Sequence, residues 1–275
     1  TATDSGINPL STTVSIGVLA KPVPGALDNG TDTDGDGLSD ADEGYADADG
    51  DRIPDYLDNS SQSDLLPSML NGPLLQTSGS ASLRLGDAAV FAGKAGAELS
   101  LMGVEAYAMD AGVDGGDSYY FTRGVFDFEI YGISAGEQAL VVIPQLAAIS
   151  PDSVYRKFST KRGWQDFVKD GQNHVKSAPG ELGVCSAPGA DDYVDGIHEG
   201  YFCLQLTIED GGPNDADGQV NGIIKDPGGL ATLDIPVPEI ELGLGELSDT
   251  AFDEGDGDSV VLAFSFESDS NDAAL

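Results

Sequence analysis

Phe126-Asp127-Phe128-Glu129-Ile130-Tyr131 alternates apolar and polar residues at a period of two. Such alternation puts Phe126, Phe128 and Ile130 on one face of a strand, whereas a helix would scatter them around its circumference. Phe202, Leu204, Leu206 and Ile208 alternate in the same way with Tyr201, Cys203, Gln205 and Thr207. Strand signals of this kind recur at short intervals, separated by turn residues, in a chain with 37 glycines and 14 prolines. No amphipathic helix of normal length stands out. The expected fold class is all-β: a β-sandwich, with a jelly roll among the topologies the pattern allows, preceded by a helix-poor acidic loop module.

Working outward, residues 11–20 carry Val14, Ile16 and Val18 on one face and Thr13, Ser15 and Gly17 on the other, with no hairpin partner nearby. Val260, Leu262, Phe264 and Phe266 alternate likewise near the other end. A strand with one apolar face needs a cover. The expected cover is pairing within the chain, or strand addition to a neighbouring copy or an adjacent domain. The chain therefore divides into an N-terminal strand and proline linker (1–24), an acidic segment (25–60), a sandwich (61–235) and a C-terminal strand region (236–275).

The acidic segment has a register. From Asp32, oxygen-bearing residues fall at Asp32, Asp34, Asp36, Asp40 and Glu43, loop positions 1, 3, 5, 9 and 12, with Gly37 at position 6 and Leu38 placed to offer its carbonyl. Calcium takes 6–8 oxygens, and alternating carboxylates on a tight loop can all point inward. Asp47, Asp49, Asp51, Asp55 and Asp58 repeat the pattern, with Ile53 as the second carbonyl donor and Arg52 where the first loop has glycine. Gly44-Tyr45-Ala46 and Ile53-Pro54 leave no room for the paired helices of an EF-hand. Two or more calcium ions are expected.

Asp-x-Asp-x-Asp-Gly-Leu-Ser-Asp followed by Asp-x-Asp-x-Asp-x-Ile-Pro-Asp-Tyr-Leu-Asp-Asn, residues 28–59, resembles the thrombospondin type 3 repeat. That resemblance implies calcium held between loops and a segment stiffened by it. The cysteines that family carries within its repeats are missing here. Residues 79–231 resemble the bacterial choice-of-anchor U domain, through Leu83-Arg84-Leu85-Gly86-Asp87, Val154-Tyr155-Arg156-Lys157-Phe158, Gly163-Trp164-Gln165-Asp166-Phe167 and Asp210-Gly211-Gly212-Pro213-Asn214-Asp215-Ala216-Asp217-Gly218 leading to Asp226-Pro227-Gly228-Gly229. It implies export and surface attachment, with no catalytic assignment. Ala2-Thr3-Asp4-Ser5-Gly6 and Pro9-Leu10-Ser11 resemble the end of a cadherin-like or immunoglobulin-like repeat.

Composition narrows the partners. The 275 residues hold 48 acidic and 12 basic side chains, a formal net charge of −36. Nucleic acids and anionic membrane surfaces are held mainly by Lys and Arg, so both are excluded as partners. Either divalent cations or a salt-adapted solubility coat would account for the charge. No apolar run approaches the roughly 18 residues that span a bilayer, so no direct membrane insertion is expected. Cys185 and Cys203, close in sequence with turn-rich flanks, point to a disulfide, the alternative being two buried thiols. A chain opening at Thr1 without signal peptide or initiator Met reads as a mature or excised portion of an exported protein.

Further candidates are weaker. Asp215 and Asp217, with Asp210 and Asn221, form either another calcium site or a hydrogen-bonded turn. Asp253–Asp258 is an acidic turn. Trp164 reads as core, and His174 and His198 as loop residues. Tyr119-Tyr120-Phe121 is a candidate platform for surface glycans. No Gly-x-Ser-x-Gly, phosphate-cradling loop or His-Glu-x-x-His appears. The expected function is that of an extracellular or cell-surface structural protein rather than an enzyme: a spacer, adhesin segment or assembly subunit, with a calcium-dependent carbohydrate-binding module as the alternative.

Overall fold

The computed structural model describes residues 25–122 and 124–233, together with Ala2–Thr3 and Ser11–Thr12. The chain divides into two units, Thr1–Asp234 and Ile235–Leu275. The described residues belong to the first; the expected C-terminal strand and the Asp253–Asp258 turn lie outside them.

In chain order the elements are β1 (Ala2–Thr3), β2 (Ser11–Thr12), α1 (Asp40–Glu43), a 3-10 turn at Asp55–Leu57, β3 (Leu65–Pro67), β4 (Leu74–Thr77), β5 (Ser82–Leu85), α2 (Asp87–Phe91), β6 (Glu98–Leu99), α3 (Leu101–Asp110), β7 (Tyr119–Phe121) and β8 (Val125–Tyr131). There follow β9 (Gln138–Pro144), β10 (Val154–Ser159), β11 (Gly163–Asp166), β12 (His174–Ala178), β13 (Val194–Asp195), β14 (Cys203–Glu209) and β15 (Ile223–Leu233). Two antiparallel sheets make the sandwich. One runs β11-β10-β15-β8-β5, with β6 also on β8 and β7 also on β15; the other runs β13-β12-β14-β9-β4-β3.

The alternation that marked β8 sorts its side chains. Ile130 pairs with Leu83 and Ile224, and Phe128 with Leu85 and Asp226. Phe128 and Ile130 are fully buried in one core with Leu204, Leu206 and Ile143 of the other sheet. The intervening Asp127 and Glu129 are buried as well, on the opposite face. There Arg84, Glu129 and Lys225 stand in register across β5, β8 and β15, a cross-strand row of alternating charge.

Two expectations are corrected. A ten-residue helix, α3, is present; Ser100 Oγ caps it by accepting the Gly103 N–H at 3.2 Å, and only Val104 and Ala108 are buried. So narrow an apolar stripe leaves little helical periodicity to read. The start of the strand expected at 11–20 does have a local partner, since Ser11–Thr12 pairs antiparallel with Ala2–Thr3; residues 13–20 lie outside the described residues.

Cys185 and Cys203 form the expected disulfide, with a Cα–Cα distance of 5.6 Å. Cys203 lies on the face of β14 away from the main core, where a small second cluster of Val142, Ala178, Tyr193 and Cys203 packs with Cys185. The loop behind it is also fastened by Gly189 N–H donating to Gln205 Oε1 at 2.6 Å. Trp164 packs on Phe121 and Phe158, with ring centroids 4.6 and 5.4 Å away, and its Nε1–H donates to the Gly115 carbonyl at 2.7 Å. It is half-buried and structural, as expected. No helix among the described residues is long and apolar enough to cross a membrane.

Candidate metal centre

The two acidic loops share their turn-forming hydrogen bonds at a constant offset. Asp32 accepts from Gly35 N–H (2.8 Å) and Gly37 N–H (3.1 Å); Asp47 accepts from Gly50 N–H (2.8 Å) and Arg52 N–H (3.1 Å). Asp34 Oδ1 accepts from Asp36 N–H and Asp36 Oδ1 from Leu38 N–H; Asp49 and Asp51 do the same for Asp51 N–H and Ile53 N–H. Each first oxygen thus folds its own loop, in the manner of Asx turns. Asp32 and Asp47 use both oxygens in this way, whereas the second oxygens of Asp34, Asp49 and Asp51 do not.

Those second oxygens define the site. Asp34 Oδ2, Glu43 Oε2, Asp49 Oδ2 and Asp51 Oδ2 are buried and accept no hydrogen bond among the described residues, and neither does Asn59 Oδ1. Asp34 is only 2% exposed and Asp51 is fully buried. A buried acceptor without a donor costs about 1–3 kcal/mol, more when charged. Five such oxygens fall in one short segment. Carboxylate oxygens of Asp32, Asp34 and Asp36 lie within 4.8 Å of one another, as do those of Asp47, Asp49 and Asp51. Each of these two clusters could hold a metal ion.

A groove between the loops is lined by Asp36 and Glu43 of the first and by Asp49, Asp58 and Asn59 of the second. Glu43 and Asp58 occupy equivalent positions, and both carboxyls are raised. Burial, then the charges of Asp34 and Asp36, lifts the Glu43 carboxyl to about 7. Burial lifts Asp58 to about 7 as well, with Asp49 and Asp34 adding to the push, so this one carboxylate feels both loops. Asp51 is lifted to about 8, by burial and then by Asp58, Asp49 and Asp47.

Other expected ligands also carry bonds or packing within the loops. Both oxygens of Asp40 are engaged by Thr33, whose N–H and Oγ1–H donate at 2.7 and 2.8 Å, and Asp55 Oδ1 likewise takes the Ala48 N–H at 2.8 Å. They staple each loop to its start. Leu38 and Ile53 sit at the same step of the two loops, but Leu38 is 56% exposed and Ile53 is buried in the main core. Asn59 was missed: the loop template ends at position 12, and Asn59 lies one residue beyond it.

Asp215 and Asp217 are not brought into either cluster. Asp215 Oδ2 accepts Gly211 N–H and its Oδ1 accepts Lys225 N–H; Asp217 accepts Gln219 N–H and Asn221 Nδ2–H. Asp210 Oδ2 takes Gly136 N–H and Gly222 N–H. This region has the bonding of a hydrogen-bonded turn. Of the three aromatic residues 119–121, Tyr120 alone is exposed: Phe121 is buried, and Arg156 stacks over Tyr119 at 4.3 Å. His174 opens β12, and His198 is exposed beside Tyr201.

The acidic segment is docked on the sandwich. Arg52 Nη1–H donates to the Leu85 carbonyl at 2.6 Å, Leu85 N–H donates to the Asp51 carbonyl at 2.9 Å, and Asn71 Nδ2–H reaches the Thr33 carbonyl at 3.2 Å. Comparison with known proteins finds no matching family model, no matching curated protein and no matching solved structure.

Proposed function

We propose that residues 25–60 bind two or more calcium ions and that this module stiffens an extracellular or cell-surface structural protein, a spacer, adhesin segment or assembly subunit, whose role is mechanical and not catalytic. The observation that carries the metal reading is the set of buried, donorless oxygens on Asp34, Glu43, Asp49, Asp51 and Asn59. All of the candidate donors are oxygens. That chemistry suits a hard cation, and a set of carboxylate and amide oxygens suits calcium better than the smaller, more strongly hydrated magnesium. The extracellular placement rests on the disulfide, which persists in oxidising compartments.

Calorimetric titration of chelator-stripped protein tests the metal reading. Calcium should bind at two or more sites per chain and magnesium much more weakly; no calcium binding would refute it. For the mechanical role, trypsin should cut after Arg52 in chelator and spare it in calcium, and equal cleavage in both would count against a metal-stiffened segment.

A further inference from the structure

Lys157 and Asp226 stand inside the sandwich, on the face that carries its core. In the register of β10 and β15, Lys157 is opposite Gly228 and Tyr155 opposite Leu230. In the register of β15 and β8, Asp226 is opposite Phe128. The two side chains are therefore diagonal neighbours on adjacent strands. Lys157 is 6% exposed and Asp226 fully buried, and Lys157 Nζ lies 2.5 Å from Asp226 Oδ1. Tyr155, on the same face, has its hydroxyl 3.3 Å from that oxygen. Asp226 Oδ2 is buried and accepts no hydrogen bond among the described residues.

We propose that Lys157 and Asp226 condense spontaneously in the folded protein to an intramolecular isopeptide bond joining β10 to β15. This inference is independent of the calcium reading. A proton passes from the Lys157 ammonium to the Asp226 carboxylate, giving an amine beside a carboxylic acid. The Nζ lone pair attacks Cγ and the new C–N bond forms. One carboxyl oxygen then leaves as water, with the acid's proton and one from the amine, and the C–O bond breaks. No oxidant, cofactor or activating group is consumed.

The surroundings favour each step. Burial disfavours both charges, lowering the Lys157 ammonium and raising the Asp226 carboxyl from their ordinary values. Fixed contact in a packed core supplies the high effective concentration that intramolecular reactions exploit. Tyr155 O–H can donate to the oxygen that becomes the amide carbonyl, a positioning role, while Oδ2 has no donor holding it. Gly228 keeps the space open: a Cβ there would lie 2.8 Å from Asp226 Oδ1 and 2.7 Å from the Tyr155 ring.

The test is the mass of the purified, disulfide-reduced, denatured chain, followed by peptide mapping. The bonded protein is lighter than its sequence by one water and yields a branched peptide joining the Lys157 and Asp226 segments. A full sequence mass, or a one-water deficit without that branched peptide, as from a succinimide at an Asp-Gly step, overturns the proposal. Lys157→Arg should restore the full mass, and a deficit that survives it is equally fatal. Asp226→Asn should lose ammonia instead and arrive at the wild-type bonded mass. Tyr155→Phe, folded, should form the same bond more slowly.

Discussion

Arg52 Nη2 lies 3.1 Å from Glu129 Oε2, joining the second acidic loop to β8, 77 residues further along the chain. Arg52 holds φ at 74°, where the equivalent residue of the first loop is Gly37 at 100°. An L-residue in that region costs roughly 1–2 kcal/mol. The cost is offset by what the side chain reaches: Leu85 O, Glu129 and Asp87.

Arg52→Ala keeps the unfavourable backbone and drops the tether, so it should lower the unfolding free energy in calcium by about 2 kcal/mol. Arg52→Gly drops the tether but relaxes the backbone and should lose about 1 kcal/mol less. Denaturant unfolding of both variants measures the difference; equal losses would contradict this account of the loop.

Asp51→Asn should have effects of opposite sign with and without metal. Without calcium it removes one of several crowded carboxylates, so the stripped protein should gain about 1 kcal/mol. With calcium it removes a charged ligand, and affinity should fall tenfold or more, about 1.4 kcal/mol per decade. Thermal unfolding in chelator and in calcium checks both signs. A loss in both conditions would make Asp51 an ordinary structural residue.

Asp127 gives a pH dependence with a definite sign. Its carboxylate, buried beneath α2, accepts Ala89 N–H at 2.8 Å, yet burial raises it from 3.8 to about 6 in spite of that bond. The folded protein thus holds this proton more tightly than the unfolded chain. The stabilising contribution is full below the ordinary carboxylate value and is lost as pH rises from about 4 to about 6, a change of order 3 kcal/mol. Asp127→Asn should flatten that slope. Unfolding free energies from pH 4 to 7 at fixed calcium test it: a wild-type minus variant difference that stays constant rules the effect out.

Reducing the Cys185–Cys203 bond opens a loop with a sequence separation of 18 and should cost about 3 kcal/mol in the chain-entropy model. Because the bond pins the loop over the outer face of β14, amide exchange around residues 180–200 should accelerate most. Acceleration spread evenly over both sheets would argue against a local role.

Much of the molecule was legible in one dimension. The alternation in β8 and β14, the offset between the acidic loops and the nearness of the two cysteines each depend on local geometry, which sequence spacing encodes directly. The short helix α3 was hidden because two buried residues make too narrow a stripe. Spacing gives the direction of a side chain but not the other groups that meet it, so the bonds from Thr33 to both oxygens of Asp40 and from Ala48 N–H to one oxygen of Asp55 appear only in the folded loops.

The sequence by itself determined an all-β chain with two acidic loops in register, since strand period and loop spacing are properties of neighbouring residues. Only the tertiary structure decided which loop oxygens are left without donors, why Arg52 stands where glycine was expected, and that Lys157 meets Asp226 inside the core. Each depends on residues tens of positions apart being packed together and sealed from water, where an unpaired charge becomes costly and a fixed contact becomes reactive.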